Sequence, residues 1–234
     1  MLQGMNVIGY FQGQFGLGET GRLYVSAMES QSIPLCLLSA DFAVNHQTSR
    51  PYEHATESKP KYDINLFCID SYVLMPVVQK FGLDILRNRY NIGLFFWETN
   101  VIPKIRLRSL SYFDEVWVTT DYNLEALSKV MPSRVYKVTH PFQWNLQLPP
   151  SSKSSFGLAE KFTFLFCFDM NSSIKRKNPG AIIEAFRRAF GERQDVQLVI
   201  KSQNGHHHPE ALREALRGIQ GDSRIHWLEE MQIV

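Results

Sequence analysis

The sequence predicts an α/β protein with two doubly wound parallel-sheet domains, the second of them incomplete. Three observations predict it. Short apolar runs alternate with longer helical patterns, as in βαβ units. A proline- and serine-rich stretch interrupts that rhythm once, and the rhythm then restarts. After the restart it continues for only three strands, fewer than an ordinary sheet carries. The 234 residues, 44% apolar and 21% charged, are enough for a substantial core.

Asn6–Phe11 reads as the first strand, followed by a glycine-rich turn and a helix from about Glu19 to Gln31. Pro34–Ser39 is the second strand. Asp41–Lys61 is polar and carries two prolines, so it reads as a long loop, a feature that compact domains often use functionally. Asp63–Ile69 is the third strand, and Ser71–Phe81 a helix that must accommodate Pro76. Tyr90–Trp97 (YNIGLFFW) is the most apolar stretch and reads as a strand covered on both faces. Pro103 opens a helix where its missing N–H costs least. Glu115–Thr119, a helix over Asn123–Val130 and Arg134–Val138 complete six strands.

Residues 1–145 therefore form the expected first domain, 146–161 a linker containing Pro149, Pro150 and SSKSS, and 162–234 the beginning of a second domain. The second repeats the pattern: strand Phe162–Phe168, helix Asn178–Phe190, strand Val196–Lys201, helix Pro209–Ile219, strand Arg224–Leu228.

Charge and targeting signals narrow the class. A net charge of +2 is too small to imply nucleic acid. The N-terminus MLQGMNVIGYF lacks the basic and long apolar regions of a signal peptide, and no apolar run reaches spanning length. A cytoplasmic protein is expected, with peripheral membrane contact left open. Cys36, Cys68 and Cys167 form no CxxC pair and each lies in an apolar run, so buried thiols are expected.

Three constellations carry chemistry. In GQFGLGETGR, Gly16, Gly18 and Gly21 match G-x-G-x-x-G after a strand and before a helix, where amides and the helix dipole attract a phosphate. Asp41, twenty residues beyond Gly21, stands where a ribose-binding acid would in a Rossmann-like nicotinamide enzyme, so an NAD-dependent oxidoreductase is one reading. Four residues between strand and first matching glycine count against it, and a plain tight turn is the bland alternative. Second, Lys175, Arg176 and Lys177 precede the helix containing Pro179. Cations at a helix start oppose its dipole, so they suggest an anion there, against the alternative of a solvated basic loop. Third, Glu98 follows the most apolar strand, at the end where α/β sheets bind ligands. It is either a catalytic or acceptor-orienting carboxylate or a surface acid. His206–His208 read as a solvated loop, because adjacent histidines do not easily face one metal ion. His140 ends the sixth strand, facing the ligand or serving as a hinge.

Taken together, GQFGLGETGR, FFWETNVIP, FDEVWVTTDYNLEAL, FLFCFDMNSSIKRKNPGAIIEAFRRAF and LVIKSQN resemble the GT-B glycosyltransferases of family four, also called glycosyltransferase group 1. The resemblance covers the whole chain. It implies a retaining hexosyltransferase that moves sugar from a nucleotide-diphosphate sugar to a glycan or lipid-linked glycan. The donor would lie between the domains, the first domain would serve the acceptor, and no metal or further cofactor would be needed. Counting back from Glu184-Ala185-Phe186 places Lys177 at the family's diphosphate lysine. The usual arginine position falls at Asn171 or Ser172, so Arg176 is the substitute. Together with Gly16 and Gly18 these residues form the expected phosphate site, and Glu98 is the catalytic candidate. Trp97-Glu98 replaces a histidine that many relatives carry, and the family's E-x7-E region would lie beyond Val234. The resemblance thus implies a fragment inactive alone, a partner chain that completes the second domain, or a non-catalytic remnant.

Overall fold

All nine apolar runs become strands, each within a few residues of its expected limits. The computed structural model describes residues 4–43, 57–142 and 152–229, and the chain divides into two units, Met1–Leu146 and Gln147–Val234.

In the first unit, β1 (Met5–Gly9), β2 (Leu35–Ser39), β3 (Ile64–Cys68), β4 (Tyr90–Leu94), β5 (Glu115–Val118) and β6 (Val135–Lys137) form one parallel sheet in the order β2-β1-β3-β4-β5-β6. The helices are α1 (Gly16–Ser30), α2 (Leu74–Phe81), α3 (Lys104–Leu110) and α4 (Asp121–Ser128). Alternate strand residues enter two cores, as a doubly covered sheet requires. Ile8, Leu38 and Phe67 meet Leu74 and Val77 of α2, Leu110 of α3 and Leu127 of α4 on one face. Val7, Leu37, Leu66, Ile92 and Leu94 meet Tyr24 and Val25 of α1 on the other. Gly93 fits this plan because Phe113 packs over it; a methyl group there would overlap the ring.

Buried asparagines cross the amino-terminal half of the sheet. Asn6 Nδ2 donates to Asn65 Oδ1 at 2.8 Å, and Asn65 Nδ2 donates to Asn91 Oδ1 at 2.8 Å. Asn6 pairs with Asn65 and Asn65 with Asn91 in the strand register. Their remaining groups satisfy loop backbone: Asn6 Oδ1 accepts from Lys61 and Tyr62 N–H, and Asn65 and Asn91 donate to the carbonyls of Ile85 and Leu86.

Several helix boundaries differ from expectation: α4 begins two residues early, at Asp121, and Pro103 is the N-cap of α3 and not its first residue. The helix after β1 begins at Gly16 and takes in all three glycines of the G-x-G-x-x-G match. The stretch from Ser71 begins as a 3-10 turn, Ser71–Val73, before α2 starts. Pro76 then falls in the first turn of α2, where a missing N–H leaves no helical bond unmade.

In the second unit, β7 (Phe162–Asp169), β8 (Val196–Gln203) and β9 (Ile225–Glu229) form a parallel sheet in that order, with α5 (Ile174–Lys177), α6 (Pro179–Phe190) and α7 (Pro209–Ile219). Phe168, Val196, Leu198, Ile200 and Ile225 meet Ile183 and Phe186 of α6. Cys36 and Cys68 are buried, but Cys167 is exposed, which corrects the expectation of three buried thiols. The reason is its strand: β7 is at the sheet edge, and Phe162 and Leu165 on it are each 66% exposed. The expected linker contains a 3-10 turn at Lys153–Phe156, and its residues 146–151 lie outside the described residues. Residues 44–56 of the expected long loop do so too.

Candidate functional site

The carboxyl ends of the first sheet carry the glycine motif. Phe15, in extended conformation, is the N-cap of α1 and gives no side-chain cap. The first helical bond runs from Glu19 N–H to Phe15 O at 3.0 Å. The N–H groups of Gly16, Leu17 and Gly18 have no hydrogen-bond partner among the described residues, so the opening turn is receptive to an anion. The two glycines differ physically. Gly16 is exposed, and a methyl there would meet nothing within 4 Å. Gly18 is buried, and a methyl there would lie 2.8 Å from Tyr10 O and closer still to Gly13 O. Gly18 thus lets the helix close onto the preceding loop.

That loop is braced from two sides. Arg22 Nη1 donates to Phe11 O at 2.9 Å and Gly13 O at 3.0 Å, while its Nε and Nη2 grip Glu19. Asp41 accepts from Gln12 N–H with both oxygens at 3.3 Å and from Ser39 Oγ at 2.6 Å. The acid that a nicotinamide reading assigns to ribose therefore holds the glycine loop itself. Gly21 is buried inside α1, with Cys68 Cβ 3.6 Å from where its own Cβ would be.

His140, at the exit of β6, reaches the same turn. Its Nε2 lies 3.1 Å from Thr20 Oγ1, and Thr20 Oγ1 donates to Gly16 O at 2.9 Å. The Tyr24 and Phe96 rings stand 6.0 and 6.4 Å from the imidazole. The buried Tyr24 hydroxyl has no hydrogen-bond partner among the described residues, and desolvation pushes its pKa up to about 12.

Glu98 is exposed just beyond β4, in a loop held in place by its neighbours. Asn123 Nδ2 donates to Trp97 O at 2.7 Å, and the Trp97 indole donates to Thr99 Oγ1 and Val101 O at 2.9 and 2.8 Å. Sequence reasoning did not single out Asp70 and Arg106, which also stand at this end and form an ion pair. A lone acid and a lone arginine 36 positions apart carry no pattern that would have revealed them.

In the second unit, Lys175, Arg176 and Lys177 form the last turn of α5, a four-residue helix capped by Ser173. Asn178, left-handed at φ 51°, ends it and caps α6, its Oδ1 accepting from Ala181 N–H at 3.2 Å. This corrects the dipole argument. The cations lie at a helix C-terminus, which favours them, and the start of α6 has its own cap. Lys175 and Lys177 nonetheless have no ion-pair partner among the described residues.

Nearby carboxylates are committed to the fold. Asp169 accepts from Asn171 N–H, Gln203 Nε2 and Asn204 Nδ2 at 2.8–3.0 Å. Glu229 accepts from Ser202 Oγ and from Gly205 N–H. His207 and His208 each direct a ring nitrogen to Asn171 Oδ1, at 3.3 and 3.1 Å, so this histidine run buttresses the loop after β7. Among the described residues no group of three or more His, Cys, Asp or Glu could hold a metal ion, and no helix is long and apolar enough to cross a membrane.

The fold defines the class: two Rossmann-like parallel α/β units, with an uncapped helix start after β1 in the first and a basic turn after β7 in the second. Within that class the chain is similar to HepE from Anabaena, solved in complex with UDP and glucose, with TM-score 0.63 and 11% identity over 99% of this chain and 70% of that one. It is also similar to MnaA from S. aureus, solved with UDP, with TM-score 0.52 and 16% identity over 100% of this chain and 70% of that one. At such identities the likeness is one of fold. No protein-family model matches the chain, and no curated protein matches it.

Proposed function

We infer that the chain acts on a nucleotide-diphosphate sugar as a retaining glycosyltransferase of the hexosyltransferase type, its acceptor a glycan or lipid-linked glycan. The observation that carries this reading is the basic turn beside the carboxyl end of β7, where Lys175 and Lys177 lack ion-pair partners among the described residues. Breaking a glycosyl–phosphate bond develops negative charge on the leaving diphosphate, and fixed cations and amides stabilise it. Lys177, with Arg176, takes the diphosphate in this reading, and the open amides of Gly16 and Gly18 take a phosphate oxygen. Glu98 serves the acceptor side from its fixed loop. Two neighbouring folds solved with UDP support the choice of donor class. The first unit is the acceptor side and the second the donor side, in a cytoplasmic protein.

Calorimetric titration with UDP tests the donor assignment. Charge-assisted contacts contribute about 1.5–3 kcal/mol each, so Lys177→Ala should weaken UDP binding by roughly ten- to a hundredfold. Equal affinity in both proteins would refute the role of Lys177. Glu98→Gln should lower turnover with a nucleotide sugar while leaving the melting temperature nearly unchanged, because exposed substitutions cost under about 0.5 kcal/mol.

A further inference from the structure

The strand order of the first sheet reverses between β1 and β3, because β2 lies beyond β1 on one side and β4 beyond β3 on the other. Open α/β sheets place ligands outside the strand ends at such a point. After β3 this chain places Asp70, Ser71 and Tyr72 there, joined by Arg106 of α3. The Asp70 N–H donates to the Tyr10 hydroxyl at 3.3 Å, tying the group to the end of β1. Arg106 pairs with Asp70 and donates to Ser71 Oγ at 3.4 Å. Its guanidinium carbon lies 4.6 Å from the Tyr72 ring centroid and 5.4 Å from that of Trp97.

Only part of this cluster's bonding capacity is used. Asp70 Oδ1 serves Arg106 and the Tyr72 N–H. Asp70 Oδ2 has no hydrogen-bond partner among the described residues, and neither do Arg106 Nε and Nη2. Tyr72 is 58% exposed. The group therefore offers an acceptor, donors and aromatic surface side by side, with its two charges cancelling. A phosphate or carboxylate drawn to Arg106 would meet the Asp70 carboxylate as well. An uncharged polyol meets no such conflict: its hydroxyls both give and accept, and a pyranose presents C–H faces to an aromatic ring.

We propose that Asp70, Tyr72, Trp97 and Arg106 form a subsite for an uncharged pyranose. The transferase reading makes this sugar the acceptor, and the proposal rests on that reading for the sugar's role but not for its binding. A purely structural latch between the turn after β3 and α3 would bind no sugar.

Saturation-transfer NMR on the full chain separates the two, with methyl glycosides of glucose, galactose, mannose and N-acetylglucosamine as probes and glucuronate as the anionic control. At least one neutral glycoside should receive saturation at its ring protons, and glucuronate should receive less. Tyr72→Ala should weaken that binding at least fivefold with an unchanged melting temperature, Tyr72→Phe should restore it, and Asp70→Asn should weaken it. No transfer to any neutral glycoside, or transfer undiminished in Tyr72→Ala, would overturn the proposal. UDP titrated into the same samples keeps the two readings apart. Glycoside binding through Tyr72 without UDP binding defeats the donor reading and leaves the subsite standing. UDP binding without glycoside binding does the reverse.

Discussion

Thr20 and His140, 120 residues apart, meet through a 3.1 Å hydrogen bond that joins the first turns of α1 to the exit of β6. His140 Nδ1 faces Pro141 O at 2.8 Å, and a carbonyl can only accept. The ring proton of the neutral tautomer is therefore on Nδ1, which leaves Nε2 to accept from Thr20. The Thr20 hydroxyl has one proton to divide between His140 and Gly16 O. Thr20→Val keeps the shape and removes the bond, so about 1–2 kcal/mol of stability should be lost. Urea denaturation measures it; an unchanged midpoint would mean that water replaces the contact without cost.

The two glycines of the motif should respond oppositely to alanine. Gly18→Ala sets a methyl against the carbonyls of Tyr10 and Gly13, which must shift, and the cost expected is about 1–3 kcal/mol. Gly16→Ala projects into open space and should leave stability equal or raised by up to about 1 kcal/mol. Thermal melts of the pair separate the roles; equal losses in both would disprove the division.

Asn65→Ala should be the most damaging single change in the sheet. It deletes the Ile85, Asn91 and Asn6 bonds together and leaves buried polar groups unsatisfied. A loss of about 3–5 kcal/mol is expected. A loss below about 1 kcal/mol would show that the neighbouring side chains re-pair.

Acid should weaken the second unit through Asp222. Hydrogen bonds from Arg224 hold its pKa at about 2, below the ordinary 3.8, with side chains 13% and 8% exposed. The folded state binds the proton less readily than the unfolded one. The stabilisation is thus fully present above pH 4 and is lost as pH falls from about 4 to 2, by roughly 2 kcal/mol. Asp222→Asn should remove that part of the pH dependence, seen as a smaller stability difference between pH 5 and pH 2. Parallel curves for the two proteins would contradict the assignment.

Much of this architecture is legible in the chain, because apolar runs such as INLFC and NIGLFF leave few alternatives to a doubly covered strand. The start of α1 was harder to read, since glycine lowers helix propensity and Gly16 and Gly18 argue for a loop. What decides it is the close approach of Gly18 to the carbonyls of Gly13 and Tyr10, a tertiary contact. The basic triplet does precede α6, but for a related reason its own helical turn, α5, is not legible in the sequence. Ser173 and Asn178 bracket IKRK as caps, but Asn178 must adopt a left-handed conformation to end one helix and begin the next. Composition alone does not reveal that dihedral. The Thr20–His140 and Asp70–Arg106 pairs were invisible because both join residues distant in the chain and brought together only by the sheet.

The asparagine row also guards against misthreading. MNVIG, INLFC and YNIGL are apolar enough that sliding one strand past another by two residues would keep greasy side chains on the same faces, at little cost in buried area. Each asparagine, however, hands its amide proton on in one direction, from β1 to β3 to β4 and on to the carbonyls of Leu86 and Arg89. Any such slide sets an amide against a hydrocarbon wall. A chain caught in that arrangement carries stranded polar groups in a dry interior, so it is driven to come apart and try again. Proofreading of strand alignment thus resides at the amino ends of the sheet, away from the loops at the opposite ends, which can change without scrambling the fold.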